Sequence, residues 1–127
     1  MDQQIKEQWV EALRSGRYNQ GQGCLRTHIH GDDESNDKFC CLGVLADIMM
    51  PDNYDWAIAQ GSAPLVWTGE LGENGYAEVE LPFDLKEIAG IDDDECSELM
   101  NMNDGGEDVG HIGRTFKYIA NYIEEHM

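Results

Sequence analysis

The chain has 127 residues, 41% of them apolar, with three Trp, five Tyr and three Phe, which suits one domain built on one core. Its 26 acids against eight bases leave a net charge of −18, a balance that repels nucleic acid and anionic membranes and favours cationic partners. No apolar run approaches the roughly 18 residues that a membrane span needs, and Met1-Asp2-Gln3-Gln4 has neither the basic patch nor the apolar run of a secretory signal.

Ile5, Trp9, Ala12 and Leu13 recur at helical spacing. They predict a helix between Asp2 and Ser15, with Asp2 as N-cap and Gly16 as the stop. A glycine-rich stretch from Gly16 to Gly23 follows, carrying Arg17, Tyr18 and Gln20. Leu25 to Ile29 reads as a short strand and Gly31 to Lys38 as an acidic loop. Phe39 to Met50 is nearly all apolar, with Asp47 its only charge, and predicts a buried helix ended by Pro51. Residues 52–63 show no decisive pattern beyond Trp56 as a packing residue.

Leu65 to Thr68 reads as a strand, and Asn74-Gly75 within the turn at 72–75 is a hairpin signal. Tyr76 to Leu81 alternates, with Tyr76, Glu78 and Glu80 on one face and Ala77, Val79 and Leu81 on the other. Pro82 opens a helix that continues through Phe83, Leu85, Ile88 and Ala89 to a stop at Gly90. One of Asp92, Asp93 and Asp94 caps a helix running through Met102. Asn103 to Gly113 reads as a loop, and Thr115 caps a last helix striped by Phe116, Ile119, Ala120 and Ile123. The expected fold is therefore α+β: three to five helices with a small antiparallel sheet or hairpin, in a single domain over residues 1–127.

Charge is unevenly placed. Residues 1–31 hold three acids and four bases, whereas residues 32–127 hold 23 acids and four bases. The four cysteines, Cys24, Cys40, Cys41 and Cys96, lack paired CxxC spacing, and with no signal peptide they read as reduced thiols of a cytoplasmic protein.

Three segments together resemble a family of small, uncharacterised proteins encoded by bacteriophages. The first runs from Trp9 to Arg26 and holds Ala12-Leu13-Arg14-Ser15-Gly16, Tyr18, Gln20-Gly21, Gly23 and Leu25-Arg26. The second is Phe39-Cys40-Cys41-Leu42-Gly43-Val44-Leu45-Ala46-Asp47. The third runs from Leu99 to Glu124, with Met102-Asn103-Asp104, Thr115-Phe116, Ile119-Ala120 and Ile123-Glu124. The resemblance covers about half the chain; the hairpin region around Trp67 to Leu81 and the insertion Gly105 to Gly110 fall outside it. It implies a phage or mobile-element origin and a bacterial cytoplasmic setting, and it implies no activity.

Several constellations are candidates for chemistry. Cys24, His28, His30, Cys40 and Cys41 offer thiolate and imidazole ligands suited to zinc, but at no standard spacing. The alternative is core thiols beside exposed histidines. Cys41 near a helix start, with His111 as base and Asn103 or Asp104 as orienter, has the composition of a cysteine hydrolase site, because a helix dipole lowers a thiol pKa. The alternative is an inert buried thiol. Asn103 to Asp108 fails as an EF-hand loop, since Ile112 stands where a bidentate Glu is required. A turn-closing role is the better reading of Asn103 and Asp104. No motif calls for a cofactor.

Two surfaces are candidates for binding. Arg14, Arg17 and Arg26 flank flexible glycines and can hold a phosphate or carboxylate, or can simply pair with the acidic body. The acids Asp32, Asp33, Glu34, Glu78, Glu80, Asp92, Asp93, Asp94 and Glu95 form the second. Glu78 and Glu80 would stand about 6.6 Å apart on one strand face, close to the spacing of successive DNA phosphates. Such a surface suits an accessory protein that binds a basic host protein by imitating DNA. The alternative is a solvated face, although −18 exceeds what solubility alone requires.

Overall fold

The structure, a computed structural model, describes residues 1–22, 25–27, 36–49, 54–58, 65–69, 81, 83–105 and 114–127, and for 54–58, 65–69, 83 and 84 it describes the backbone alone. In chain order the elements are α1 (Gln3–Arg14), β1 (Asn19–Gln20), β2 (Arg26–Thr27), β3 (Lys38–Phe39), α2 (Cys41–Met49), β4 (Tyr54–Ile58), β5 (Leu65–Gly69), α3 (Phe83–Ala89), α4 (Asp93–Asp104) and α5 (Phe116–His126). The fold is α+β, as expected, with α1, α4 and α5 packed around α2 and a small sheet that meets α2 through β3.

The N-caps fall where side-chain chemistry places them. Asp2 accepts from the Ile5 amide at 2.9 Å and opens α1. Asp92 accepts from Glu95 N at 2.7 Å while Glu95 returns to Asp92 N at 3.1 Å, a reciprocal capping box that opens α4. Thr115 caps α5 through Tyr118 N. Gly16 takes φ +78° just past α1 and Gly90 φ +74° just past α3, left-handed positions that an L side chain resists.

The sheet is mixed and not wholly antiparallel as expected, in the order β1-β3-β2-β5-β4, because β1 pairs in parallel with β3. β1 runs parallel to β3, with Gln20 opposite Phe39, and β2 runs antiparallel to β3, with Arg26 opposite Phe39. β5 joins β2 through Leu65 and Arg26, and β4 pairs antiparallel with β5 from Tyr54–Gly69 to Ile58–Leu65. The Asn74-Gly75 turn, the Tyr76–Glu80 strand and Pro51 lie outside the described residues.

Two element boundaries differ from the sequence reading. Lys38-Phe39 is a strand, so the apolar run becomes helical only at Cys41. Phe39 can belong to the sheet because Arg26 and Gln20, distant in sequence, supply its ladder partners. In addition, α4 continues through Asn103 and Asp104, expected in a loop, and ends at Gly105 with φ +86°.

The core sits on α2, whose residues from Cys41 to Ala46 are all buried. Trp9, Ala12 and Leu13 of α1, Leu99 and Met102 of α4, and Ile119, Ala120 and Ile123 of α5 close around it. Each fully buried Leu or Ile contributes on the order of 1.5–3 kcal/mol. Trp9 adds direction, since its buried indole N–H donates to the Cys41 carbonyl at 2.9 Å and fixes α1 against the start of α2. Among the described residues no helix is long and apolar enough to cross a membrane.

Candidate functional site

The three segments singled out in the sequence meet at one side chain, Asn103, which is fully buried. Its Oδ1 accepts from the Cys41 amide at 3.1 Å and from Gln20 Nε2 at 3.0 Å. Its Nδ2 donates to the Gly21 carbonyl at 2.8 Å and to Asp104 Oδ1 at 2.9 Å. Both acceptor lone pairs and both donor hydrogens are thereby used, the full capacity of a carboxamide. Asn103 thus satisfies an orphan amide at the start of α2, clamps the backbone after β1, and ties both to the end of α4. The turn-closing role read from the sequence does not hold, because Asn103 lies within α4 and its bonds reach across the chain.

Gln20 extends the network. Its Nε2 also donates to the Arg114 carbonyl at 2.6 Å, and its Oε1 accepts from Phe116 N at 3.2 Å. The entry to α5 is thereby fixed against β1. Above this floor lies a polar cavity of about 340 Å³. Among the described residues it is lined by Gln20, Gly21, Gln22 and Asn103 together with Lys38, Arg114 and Thr115.

Lys38 and Phe39 point to opposite sides of β3, as successive strand residues must. Lys38 reaches the cavity. Phe39 is buried on the other side, with Tyr18 edge-on at 5.0 Å between ring centroids and the Arg26 guanidinium 5.0 Å from its ring centre. There Arg26 grips the buried Asp37 at 2.7 Å and stands 3.9 Å from Asp47, which also accepts from the Tyr18 hydroxyl at 2.8 Å.

The arginine surface read from the sequence therefore does not assemble as one anion site. Arg26 is bound to carboxylates. Arg14 turns to α5, with Glu124 at 2.7 Å and Asn121 at 2.6 Å. Exposed Arg17 donates Nε–H to Ser15 Oγ at 3.1 Å. The pairing follows from composition, because carboxylates outnumber bases more than threefold and compete for every guanidinium within reach.

The cysteine-hydrolase arrangement also meets a physical obstacle. Cys41 is the first residue of α2, yet it has no exposed surface. Burial pushes its thiol pKa well up, and Cys40 and Asp104 add to the effect. This reverses the lowering expected of the helix dipole. The Cys41 Sγ instead meets the Leu99 carbonyl at 3.5 Å, and Cys40 Sγ accepts from the Gly43 amide at 3.4 Å as a thiol N-cap. Cys24, His28, His30 and His111 lie outside the described residues. Among the described residues no three His, Cys, Asp or Glu side chains form a group able to hold a metal.

Of the acidic candidates, Asp92 and Glu95 are occupied with the α4 capping box, and Asp93 pairs with Lys86 at 2.6 Å. Asp94 stands exposed beside them. Asp32, Asp33, Glu34, Glu78 and Glu80 lie outside the described residues.

Burial pushes the Tyr18 hydroxyl to about 12, helped by its bond to Asp47. It also pushes the Cys96 thiol to about 11, helped by Asp93, Glu95 and Asp92 and opposed by Lys86. The unfolded chain releases these protons near their ordinary values of 9.0 and 10.0, before the folded chain does. Stability is accordingly unaffected by these groups below pH 9.0 and falls as pH climbs towards about 12. Urea denaturation across that range checks this. Tyr18→Phe should flatten the upper part of the decline, and a profile with no decline would contradict the assignment.

The fold and its polar seam define a class: a small α+β protein whose helices and sheet are locked together by buried amide hydrogen bonds. Over residues 1–127 it matches the family model described as a domain of unknown function, DUF8296, and the chain belongs to that family. No curated protein and no solved structure matches it.

Proposed function

We propose that this is a non-enzymatic accessory protein of bacteriophage origin. It acts in the bacterial cytoplasm by binding, and thereby inhibiting, a basic host protein such as a nucleic-acid-binding or defence enzyme. The observation that carries the reading is the net charge of −18 on 127 residues, together with where the described acids stand. Glu7 and Glu11 on α1, Asp94 and Glu98 on α4, and Glu124 and Glu125 on α5 are exposed. Carboxylates held on helices are rigidly spaced, and a rigid anionic surface attracts a cationic groove at long range. The resemblance to phage proteins supports the setting. The buried, protonated state of Cys41 removes the most reactive candidate from the competing enzymatic reading.

Affinity capture from a bacterial lysate at low and high salt, followed by competition with duplex DNA, tests the reading. The expected result is capture of a basic protein that is lost at high salt and that DNA displaces. Capture indifferent to both salt and DNA, or no capture at low salt, would refute it.

A further inference from the structure

We propose that the cavity above Asn103 is a binding site for a phosphoryl group, carried by free phosphate or by a small phosphorylated molecule. The first observation is its lining. In a chain with 26 acids and eight bases, the described residues that line the cavity, Gln20, Gly21, Gln22, Lys38, Asn103, Arg114 and Thr115, include no carboxylate and include two bases. Two other cavities of the described residues follow the composition instead. The α1–α5 groove carries Glu7, Glu11 and Glu124, and the one beside α4 carries Asp93.

The second observation is what those two bases do. Among the described residues neither Lys38 nor Arg114 meets a carboxylate, whereas Arg14, Arg26 and Lys86 each do. The Arg114 guanidinium stacks over the Tyr118 ring at 4.9 Å. That contact positions the group, and its N–H donors, which meet no carboxylate among the described residues, suit a bidentate oxyanion.

The third observation is hydrogen-bond accounting. The acceptors of the cavity floor are engaged: Asn103 Oδ1 fully, by Cys41 N and Gln20 Nε2, and Gln20 Oε1 and Thr115 Oγ1 by one bond each, from Phe116 N and Tyr118 N. The charged capacity among the described lining residues is that of donors alone, the Lys38 ammonium and the Arg114 guanidinium, with the Thr115 hydroxyl hydrogen and the Gln22 amide, which reaches Asn103 O only at 3.5 Å, beside them. Such a set complements an oxyanion and not a cation. The floor is held from three sides by Asn103, so little ordering remains to oppose binding. A volume of about 340 Å³ lies at the small end of ligand sites and suits a phosphate with a compact organic body.

The acidic body does not defeat this. At physiological salt, screening acts over roughly 8 Å, so remote carboxylates count for little against two cations in direct contact.

Thermal denaturation of the whole protein tests the site, with inorganic phosphate, nucleoside monophosphates and citrate as separate probes. Phosphate or a nucleoside monophosphate should raise Tm in proportion to the logarithm of its concentration above Kd, by roughly 10 °C at about one hundred times its Kd. Lys38→Gln and Arg114→Gln should each weaken that binding at least about tenfold, as befits the loss of a charge-assisted contact, while Arg17→Gln, outside the cavity, should leave it unchanged. Circular dichroism confirms that the variants fold, and amide NMR shifts at Gln20, Lys38 and Thr115 report the site directly. A shift with phosphate alone assigns the free anion, and a stronger shift with a monophosphate assigns the phosphorylated molecule. A response to citrate only, equal responses in the two variants and the wild type, or no response to any probe overturns the proposal. Capture of a basic protein does not depend on Lys38 or Arg114, so failure here leaves the electrostatic reading standing, and the reverse also holds.

Discussion

Asn103→Asp is expected to destabilise the protein by about 3–5 kcal/mol at neutral pH, although the two side chains have nearly the same shape. The carboxylate keeps the acceptor that Cys41 N and Gln20 Nε2 need, and it sits favourably at the start of α2. What it loses is the NH2 group. An acceptor would then face the Gly21 carbonyl across 2.8 Å and the Asp104 carboxylate across 2.9 Å, with no hydrogen to offer either. Burial and the neighbouring Asp104 both raise the pKa of the new carboxyl above its unfolded value of about 3.9. The sign of the pH dependence follows. The variant's deficit relative to wild type is smallest at acid pH, where the introduced carboxyl is protonated and can donate one hydrogen bond, and grows as pH rises through the folded-state pKa. Asn103→Ala lacks this dependence. It should cost about 3 kcal/mol at any pH, from the Cys41 amide and the Gly21 carbonyl left without a partner. Urea denaturation of both variants at neutral and mildly acid pH separates the cases. A neutral-pH stability of Asn103→Asp within about 1 kcal/mol of wild type would show that the network carries little energy.

Asn103 also shows what could be read from the sequence. The helices α1, α4 and α5 were legible because their signals are local: Asp2, Asp92 and Thr115 at the caps, Gly16 beyond the end of α1, and a buried stripe at the helical period. The burial of α2 was legible from its unbroken apolar run, and the structure places all of Cys41 to Ala46 in the core. Its start was not. Phe39 is as apolar as its successors, and only pairing with Arg26 and Gln20 makes it a strand. The two-residue β1 leaves no local trace, because it exists through a parallel partner 19 residues away.

The cavity was illegible for the same reason. Gln20, Lys38, Asn103 and Arg114 come from four separated segments with no motif spacing. A glycine-rich stretch with three arginines drew attention instead, and of those Arg14 and Arg26 went to acids. The available signal was indirect. Gln20, Cys41 and Asn103 each lie in a different one of the three segments that looked familiar, and the structure brings the three together.

Gly43→Ala is expected to reverse the usual order of helix propensities. Alanine in a helix interior is ordinarily more favourable than glycine by about 1 kcal/mol. Here a Cβ on residue 43 would lie 1.7 Å from the Leu25 carbonyl oxygen and 2.6 Å from its carbonyl carbon. Both are main-chain atoms, so no rotamer change relieves the overlap. The chain can accommodate the methyl group only by moving α2 away from β2. That movement breaks the 3.2 Å bond from Cys40 N to Leu25 O and disturbs the Cys41 amide that Asn103 holds, together with the Cys41 carbonyl that Trp9 holds. The expected cost exceeds about 4 kcal/mol, a large part of the stability of a domain this size, and the polar cavity loses its floor with it. Leu25→Ala in the same chain should give no rescue, since it removes a side chain that is not the obstacle. Gly16→Ala calibrates the scale: with φ +78° but nothing within 4 Å of its Cβ, it meets only the left-handed backbone penalty, about 1 kcal/mol. Denaturant midpoints of the three variants decide the matter. If Gly43→Ala were as stable as Gly16→Ala, the close approach of α2 to β2 would be wrong, and with it the register that brings Lys38, Asn103 and Arg114 around one cavity.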